Sequence, residues 1–155
     1  MTNNDILWGR STWIFLHTLA EKINENFYIN NKYALLDMVR KICYSLPCPY
    51  CANHASMFIN NVSIKNIPDK KSFGKMLFEF HNSVNKRENK PLYSYDNLKK
   101  YKEKNMNIVL DNFNKNYGKR YSITLKLGYK STAKTRAKLT YSIVQWCRSN
   151  WKHIT

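Results

Sequence analysis

The chain has 155 residues, 43% of them hydrophobic, and a formal net charge of +16. That length suits one domain with its own core; no apolar run approaches the roughly 18 residues of a membrane span, and the opening Met-Thr-Asn-Asn-Asp lacks the basic and apolar regions of a secretory signal. Four cysteines are too few for a disulfide scaffold, so any pair at close spacing points to redox or metal chemistry.

The charge is uneven. Residues 1–115 carry 17 Lys and Arg against 10 Asp and Glu, whereas residues 116–155 carry 9 and no acid. This shift predicts a folded domain over 1–115 and a basic extension over 116–155, with Gly118 in Asn-Tyr-Gly-Lys-Arg as a break.

In chain order, Ile6 to Ile23 places Trp13, Leu16, His17 and Ala20 on one face and predicts an amphipathic helix. Lys32 to Leu46 predicts a second, through Leu36, Val39, Ile42 and Leu46, and Pro47 interrupts it. A third covers residues 49–60, and a polar loop of Asn, Ser and Pro follows. Asp69 is the expected cap of a fourth helix bearing Phe73, Met76, Leu77, Phe80, His81 and Val84, with Pro91 beyond its end. Asp96 is the expected cap of a fifth, more polar helix with Leu98, Tyr101, Ile108 and Val109. Four amphipathic helices on short links predict a helical bundle. In the extension, Tyr121, Ile123, Leu125, Leu127 and Tyr129 alternate with polar residues and glycine, which predicts a strand; Leu139, Ile143, Val144, Cys147 and Trp151 return to helical spacing.

Three groups of residues are able to carry chemistry. The first is Cys48-Pro-Tyr-Cys51, two cysteines close enough to form a disulfide that another thiol can break. The helical patterns on either side put the pair at a helix N-terminus, with Pro49 suited to the first turn. There unpaired amides and the positive dipole end favour a thiolate. The second is Trp8-Gly9-Arg10 with Trp13 and His17. Trp13 and His17 stand four residues apart and share a face, either as core residues or as part of a site for a planar, phosphorylated ligand. The third is His81-Asn82-Ser-Val84-Asn85-Lys86 with Lys90, either a solvated helix end or a cradle for adenine, ribose and diphosphate. Zinc would need four ligands; Cys48, Cys51 and His54 supply three, and the usual second cysteine pair is absent. A thioredoxin-like site would need alternating strands and helices around the motif.

Taken together, the order and spacing of these groups over residues 8 to 101 resemble the FAD-dependent sulfhydryl oxidases of the Erv and augmenter-of-liver-regeneration type. The matching residues are Trp8-Gly9-Arg10, Trp13, Leu16-His17, Pro47-Cys48-Pro-Tyr-Cys51 with His54, and His81-Asn82-x-Val84-Asn85 followed by Lys90-Pro91. The short core is most similar to versions carried by large cytoplasmic DNA viruses. The resemblance implies an all-α four-helix bundle with a short fifth helix, FAD held noncovalently at one end by residues 1–115, and a homodimer. It assigns catalysis to Cys48 and Cys51. Cofactor binding falls to Gly9, Arg10, Trp13, His17, His54, His81, Asn82, Val84, Asn85, Lys86, Lys90 and Tyr101, with no metal. It also implies that a substrate thiolate attacks Cys48, that Cys51 lies nearer the flavin, and that dioxygen is the final acceptor, giving hydrogen peroxide.

Many relatives staple the fifth helix with a second disulfide or carry a shuttle pair. This chain has no cysteine between 52 and 146, so protein thiols, or a small redox carrier, are expected to meet Cys48 directly. Cys43 is expected to be a buried helix residue and Cys147 an inert thiol. A viral protein of this kind belongs in the cytoplasm of the infected cell, with the virion as a further destination; a cellular one belongs in the mitochondrial intermembrane space. The rival from another class is a basic nucleic-acid-binding module with structural zinc on Cys48, Cys51 and His54, favoured by the Tyr- and Trp-bearing basic tail. A third reading is a scaffold with a vestigial flavin site, against which stands the presence of both Cys48 and Cys51. Independently of the rival, the tail is a candidate contact for nucleic acid or another acidic partner.

Overall fold

The computed structural model describes residues 3–119 and 132–155; the alternating segment Tyr121 to Tyr129 lies outside them. The described residues are all-α: helices α1 (Asn3–Lys22), α2 (Glu25–Tyr44), α3 (Pro49–Asn60), α4 (Lys70–Arg87), α5 (Met106–Tyr117) and α6 (Ala133–Ser149). Single 3-10 segments lie at Ile64–Asn66, Tyr95–Glu103 and Trp151–His153. α1 is the central element. It packs on α4, α5 and the Tyr95–Glu103 turn, while α2 packs on α3 and α6 on α5. Phe15 of α1 stacks on Phe113 of α5 at 4.5 Å between ring centroids, and both are fully buried.

The third and fourth helices lie where the sequence places them. Asp69 caps α4 in a reciprocal box with Ser72, its carboxylate accepting from the Ser72 amide at 2.8 Å. Two expectations are corrected. α2 begins at Glu25, seven residues before the expected Lys32. The run Glu25–Asn31 is rich in asparagine, a weak helix former, but Asn24 caps it by accepting from the Phe27 amide. Tyr28 is buried and its hydroxyl donates to the Ile67 carbonyl at 2.8 Å, so tertiary contact overrides propensity. The expected fifth helix is two elements. Tyr95, Leu98 and Tyr101 recur every third residue, the period of a 3-10 helix, and the Asn105 side chain then accepts from the amides of Asn107 and Ile108 to start α5 afresh. Ser94, rather than Asp96, precedes the first of them.

α6 completes the core. Ile143, Cys147 and Ile154 are buried in the same apolar cluster as α1 and α2, and the Asn24 amide donates to the His153 carbonyl at 2.8 Å. Arg136 is buried; its Nε donates to the Tyr117 carbonyl and its Nη2 to the Lys119 carbonyl, each at 3.0 Å, which ties α6 to the end of α5. No described helix is long and apolar enough to cross a membrane.

Candidate active site

Cys48 is the N-cap of α3 and Pro49 its first residue, so the cysteine pair straddles the start of the helix. The two are joined as a disulfide with Cα atoms 5.1 Å apart, and the Cys51 amide donates to Cys48 Sγ at 3.2 Å. The pair is half-buried. One step inward, Cys51 and Ala55 form part of the wall of a cavity of about 490 Å³ that opens between α1, α2, α3, α4 and the 90–104 segment; Cys48 is not on that wall.

The cavity wall combines two kinds of residue. Leu16 from α1, Ile42, Cys43 and Leu46 from α2 and its end, and Phe80 from α4 are apolar, as is the Cys51 sulfur; Arg10, Arg87, Lys90, Lys100 and Lys104 are cationic, with Glu88 as the single acid, paired with Lys90 at 2.7 Å. Trp13 lies flat on His81, ring centroids 4.2 Å apart and planes 6° apart. His81 Nδ1 shares a 3.0 Å hydrogen bond with Nε2 of His17, which is buried behind it, outside the wall. Burial, and secondarily the neighbouring imidazole, lowers the His17 pKa to about 3; burial, and secondarily Lys90, lowers that of His81 to about 4. Both rings are therefore neutral at pH 7 and present polar edges without charge.

Of the residues expected to bind cofactor, Gly9, Arg10, Trp13, His81, Val84, Asn85, Lys90 and Tyr101 line the cavity, and His17, His54, Asn82 and Lys86 do not. His54 packs edge-on against Tyr50. Asn82 spends its amide on the backbone of Tyr93: its Nδ2 donates to the Tyr93 carbonyl at 3.0 Å, and its Oδ1 accepts from the Tyr93 amide at 2.7 Å. Asn85 Nδ2 adds a bond to the Pro91 carbonyl at 3.3 Å. The 90–93 segment is thereby strapped across the cavity, with Lys90 and Tyr93 on the wall. Sequence reasoning missed Tyr93, Arg87, Lys100 and Lys104 as wall residues, and Cys43 as part of the apolar wall. The aromatic two residues beyond Pro91 was the one available signal for the strap.

The wall fits a flavin dinucleotide. Trp8 Nε1 and Arg87 Nε are buried wall atoms without a hydrogen-bond partner in the protein, and a Cβ on Gly9 would meet no protein atom within 4 Å. Unpaired donors, cations and an aromatic slot suit a diphosphate and planar rings, and the volume falls in the range of roughly 300–1,000 Å³ usual for such sites. No group of three His, Cys, Asp or Glu converges as metal ligands among the described residues.

Residues 10–117 match the sequence profile of the Erv1 / Alr family. The chain belongs to that family. It is 31% identical over 105 residues to a FAD-linked sulfhydryl oxidase of African swine fever virus, covering 66% of this chain and 86% of the viral protein. It is 29% identical over 86 residues to the FAD-linked sulfhydryl oxidase ERV1 of Arabidopsis thaliana, covering 56% of this chain and 44% of the plant protein. The mitochondrial FAD-linked sulfhydryl oxidase ERV1 of Saccharomyces cerevisiae is 26% identical over 85 residues, 55% of this chain and 44% of the yeast protein. No solved structure matches significantly. The family match ends at Tyr117, the last residue of α5, so α6 lies outside the matched portion.

The two remaining cysteines, Cys43 and Cys147, are free thiols, both buried, and burial pushes each up to about 12.

Proposed function

We propose that this chain is an FAD-linked sulfhydryl oxidase that forms disulfides in protein thiols through Cys48 and Cys51. The observation that carries the reading is the division of labour in the disulfide: Cys51 is on the wall of a flavin-fitting cavity, while Cys48 is off that wall at the start of α3. A substrate thiolate attacks Cys48 Sγ; the new sulfur–sulfur bond forms as the Cys48–Cys51 bond breaks, and the electron pair leaves on Cys51. The positive end of the α3 dipole favours that thiolate, and the Cys51 amide, which donates to Cys48 Sγ, favours the Cys48 thiolate in the same way. A second substrate thiolate attacks the mixed disulfide, releasing the substrate disulfide and a Cys48 thiolate. When bound against Cys51, FAD would supply the two-electron redox chemistry that links the reduced cysteines to dioxygen, with hydrogen peroxide as the product. Arg10, Lys90 and the neighbouring wall cations would hold the diphosphate, and Trp13, His81 and Tyr101 the rings, with neutral imidazoles accepting or donating single hydrogen bonds.

The catalytic unit in this reading is residues 1–115, with 116–155 as an extension whose helix braces α5. Ile29 and Tyr33, exposed four residues apart on α2, offer an apolar face to a homodimer. The substrate is a protein thiol or a small redox carrier, and the place of action is the cytoplasm of an infected cell for a viral chain or mitochondria for a cellular one. The test is direct: purified protein should be yellow with stoichiometric FAD and should oxidise dithiothreitol with matched oxygen uptake and peroxide release. A colourless protein carrying stoichiometric zinc sinks the reading in favour of the nucleic-acid-binding module.

A further inference from the structure

The flavin cavity leaves one part of the molecule without a role: the outward face of α6. Lys134, Lys138, Tyr141, Gln145 and Arg148 follow one another along α6 at alternating steps of four and three, the spacing of a single helical stripe, and Lys152 follows in the Trp151–His153 3-10 turn; every one is exposed, Tyr141 at 66%. At 1.5 Å per residue its α6 part, Lys134 to Arg148, is about 21 Å long, and the stripe extends past the helix end through Lys152. It holds four cations, an aromatic ring and an amide, and no acid. Lys115 extends the positive surface, because it stands four residues after Asp111 on the side of α5 that carries Asn107 and Asp111, which meet Arg148. Asp111, the last acidic residue of the chain, pairs with Arg148 at 4.0 Å, and both side chains remain half exposed or more. Arg148 also lies over Trp151, 5.4 Å from the ring centroid, which holds its guanidinium in place.

We infer that this stripe is a docking surface for the phosphate backbone of nucleic acid, separate from the redox site. Three features choose that partner over other polyanions. Protein interfaces are depleted in lysine and centred on apolar anchors, and this stripe has three lysines and no Leu, Ile, Met or Phe. Helices that bind membrane surfaces insert an apolar face, whereas the apolar face of α6, with Ile143 and Cys147, is already spent in the bundle core. A lone exposed tyrosine in a row of cations is the combination that stacks on an unpaired base while neighbouring charges neutralise phosphates.

Fluorescence anisotropy with a labelled 20-nucleotide oligothymidylate and the flavin-loaded full chain tests it. Four stripe cations predict binding whose logarithm falls against log salt with a slope of about −3 for a single strand. The triple variant Lys134→Glu, Lys138→Glu, Lys152→Glu should weaken binding at least tenfold at ~0.1 M salt and flatten the slope by about 2. The control Lys41→Glu, Lys65→Glu, Lys75→Glu makes the same change in net charge on other faces and should bind as the parent does. Both variants should keep the helical circular dichroism and the dithiothreitol oxidation of the parent. Equal losses in the two variants would reduce the effect to net charge and overturn the inference, as would no binding by the parent. Polyglutamate or phosphatidylserine vesicles competing as well as the oligonucleotide would overturn the choice of partner.

Discussion

Replacing Asn82 with leucine keeps the volume of the side chain and removes both hydrogen bonds to Tyr93. A net value near 1 kcal/mol for each bond gives about 2 kcal/mol for holding the strap in place, with solvent able to reach the half-buried Tyr93 backbone and limit the penalty. If the strap must be in place for FAD to bind, 2 kcal/mol is roughly a 30-fold loss of affinity. The measurement is the recovery of flavin fluorescence as the holoprotein is diluted. Tyr93→Ala keeps the backbone bonds but deletes the ring from the cavity wall and should loosen FAD as well. Because both act through one segment, the double variant should be no worse than about the poorer single one. Full additivity, or an Asn82→Leu protein that holds FAD normally while losing thermal stability, would show that Asn82 supports the fold alone and has no connection with the cofactor.

Three further outcomes follow. His17 and His81 have depressed pKa values, near 3 and 4, so their neutral forms are favoured by the fold; the stability they contribute is complete above the unfolded pKa near 6.5 and is lost as pH falls through about 4 to 3. Urea midpoints should drop steeply below pH 6 in the parent and less steeply in His17→Phe; parallel curves would remove the pair as the cause. Cys48→Ser and Cys51→Ser should both abolish turnover, but only Cys48→Ser leaves a thiolate on the cavity wall and should show a long-wavelength charge-transfer band with FAD; the band in Cys51→Ser would reverse the assigned roles. Arg136→Met should lower stability by about 3 kcal/mol, the scale for losing charge-assisted hydrogen bonds to buried carbonyls, as read from chemical denaturation; an unchanged midpoint would mean that α6 is only loosely attached to α5.

Local chemistry made much of this molecule legible in advance. Pro49 after Cys48 and the Asp69–Ser72 box mark helix starts by satisfying or lacking backbone amides, and those signals need only a few neighbouring residues. Trp13 and His81 were legible for a related reason, since periodicity puts each on the inward face of its helix. What escaped depends on contacts far along the chain. The start of α2 rests on Tyr28 reaching Ile67, and the break before α5 rests on a choice between two helical periods. Tyr93 and Arg87 join the cavity wall only because the chain reverses after α4, through Asn89 at a φ of 55°, and is tied down by Asn82. His17 was recognised as part of the cluster, but helical spacing cannot say which of two stacked imidazoles stands in front.

Burial of the other two thiols has a consequence for a catalyst of this kind. Burial pushes the pKa values of Cys43 and Cys147 up to about 12, so both are held as thiols at neutral pH; Cys147 is fully buried, and Cys43 meets only the cavity. Such protonated sulfur is a poor nucleophile toward the Cys48–Cys51 disulfide. Under the proposed function, copies crowded together at high concentration would crosslink little through these positions, and the oxidising equivalents generated at the helix start would go to another protein's thiols.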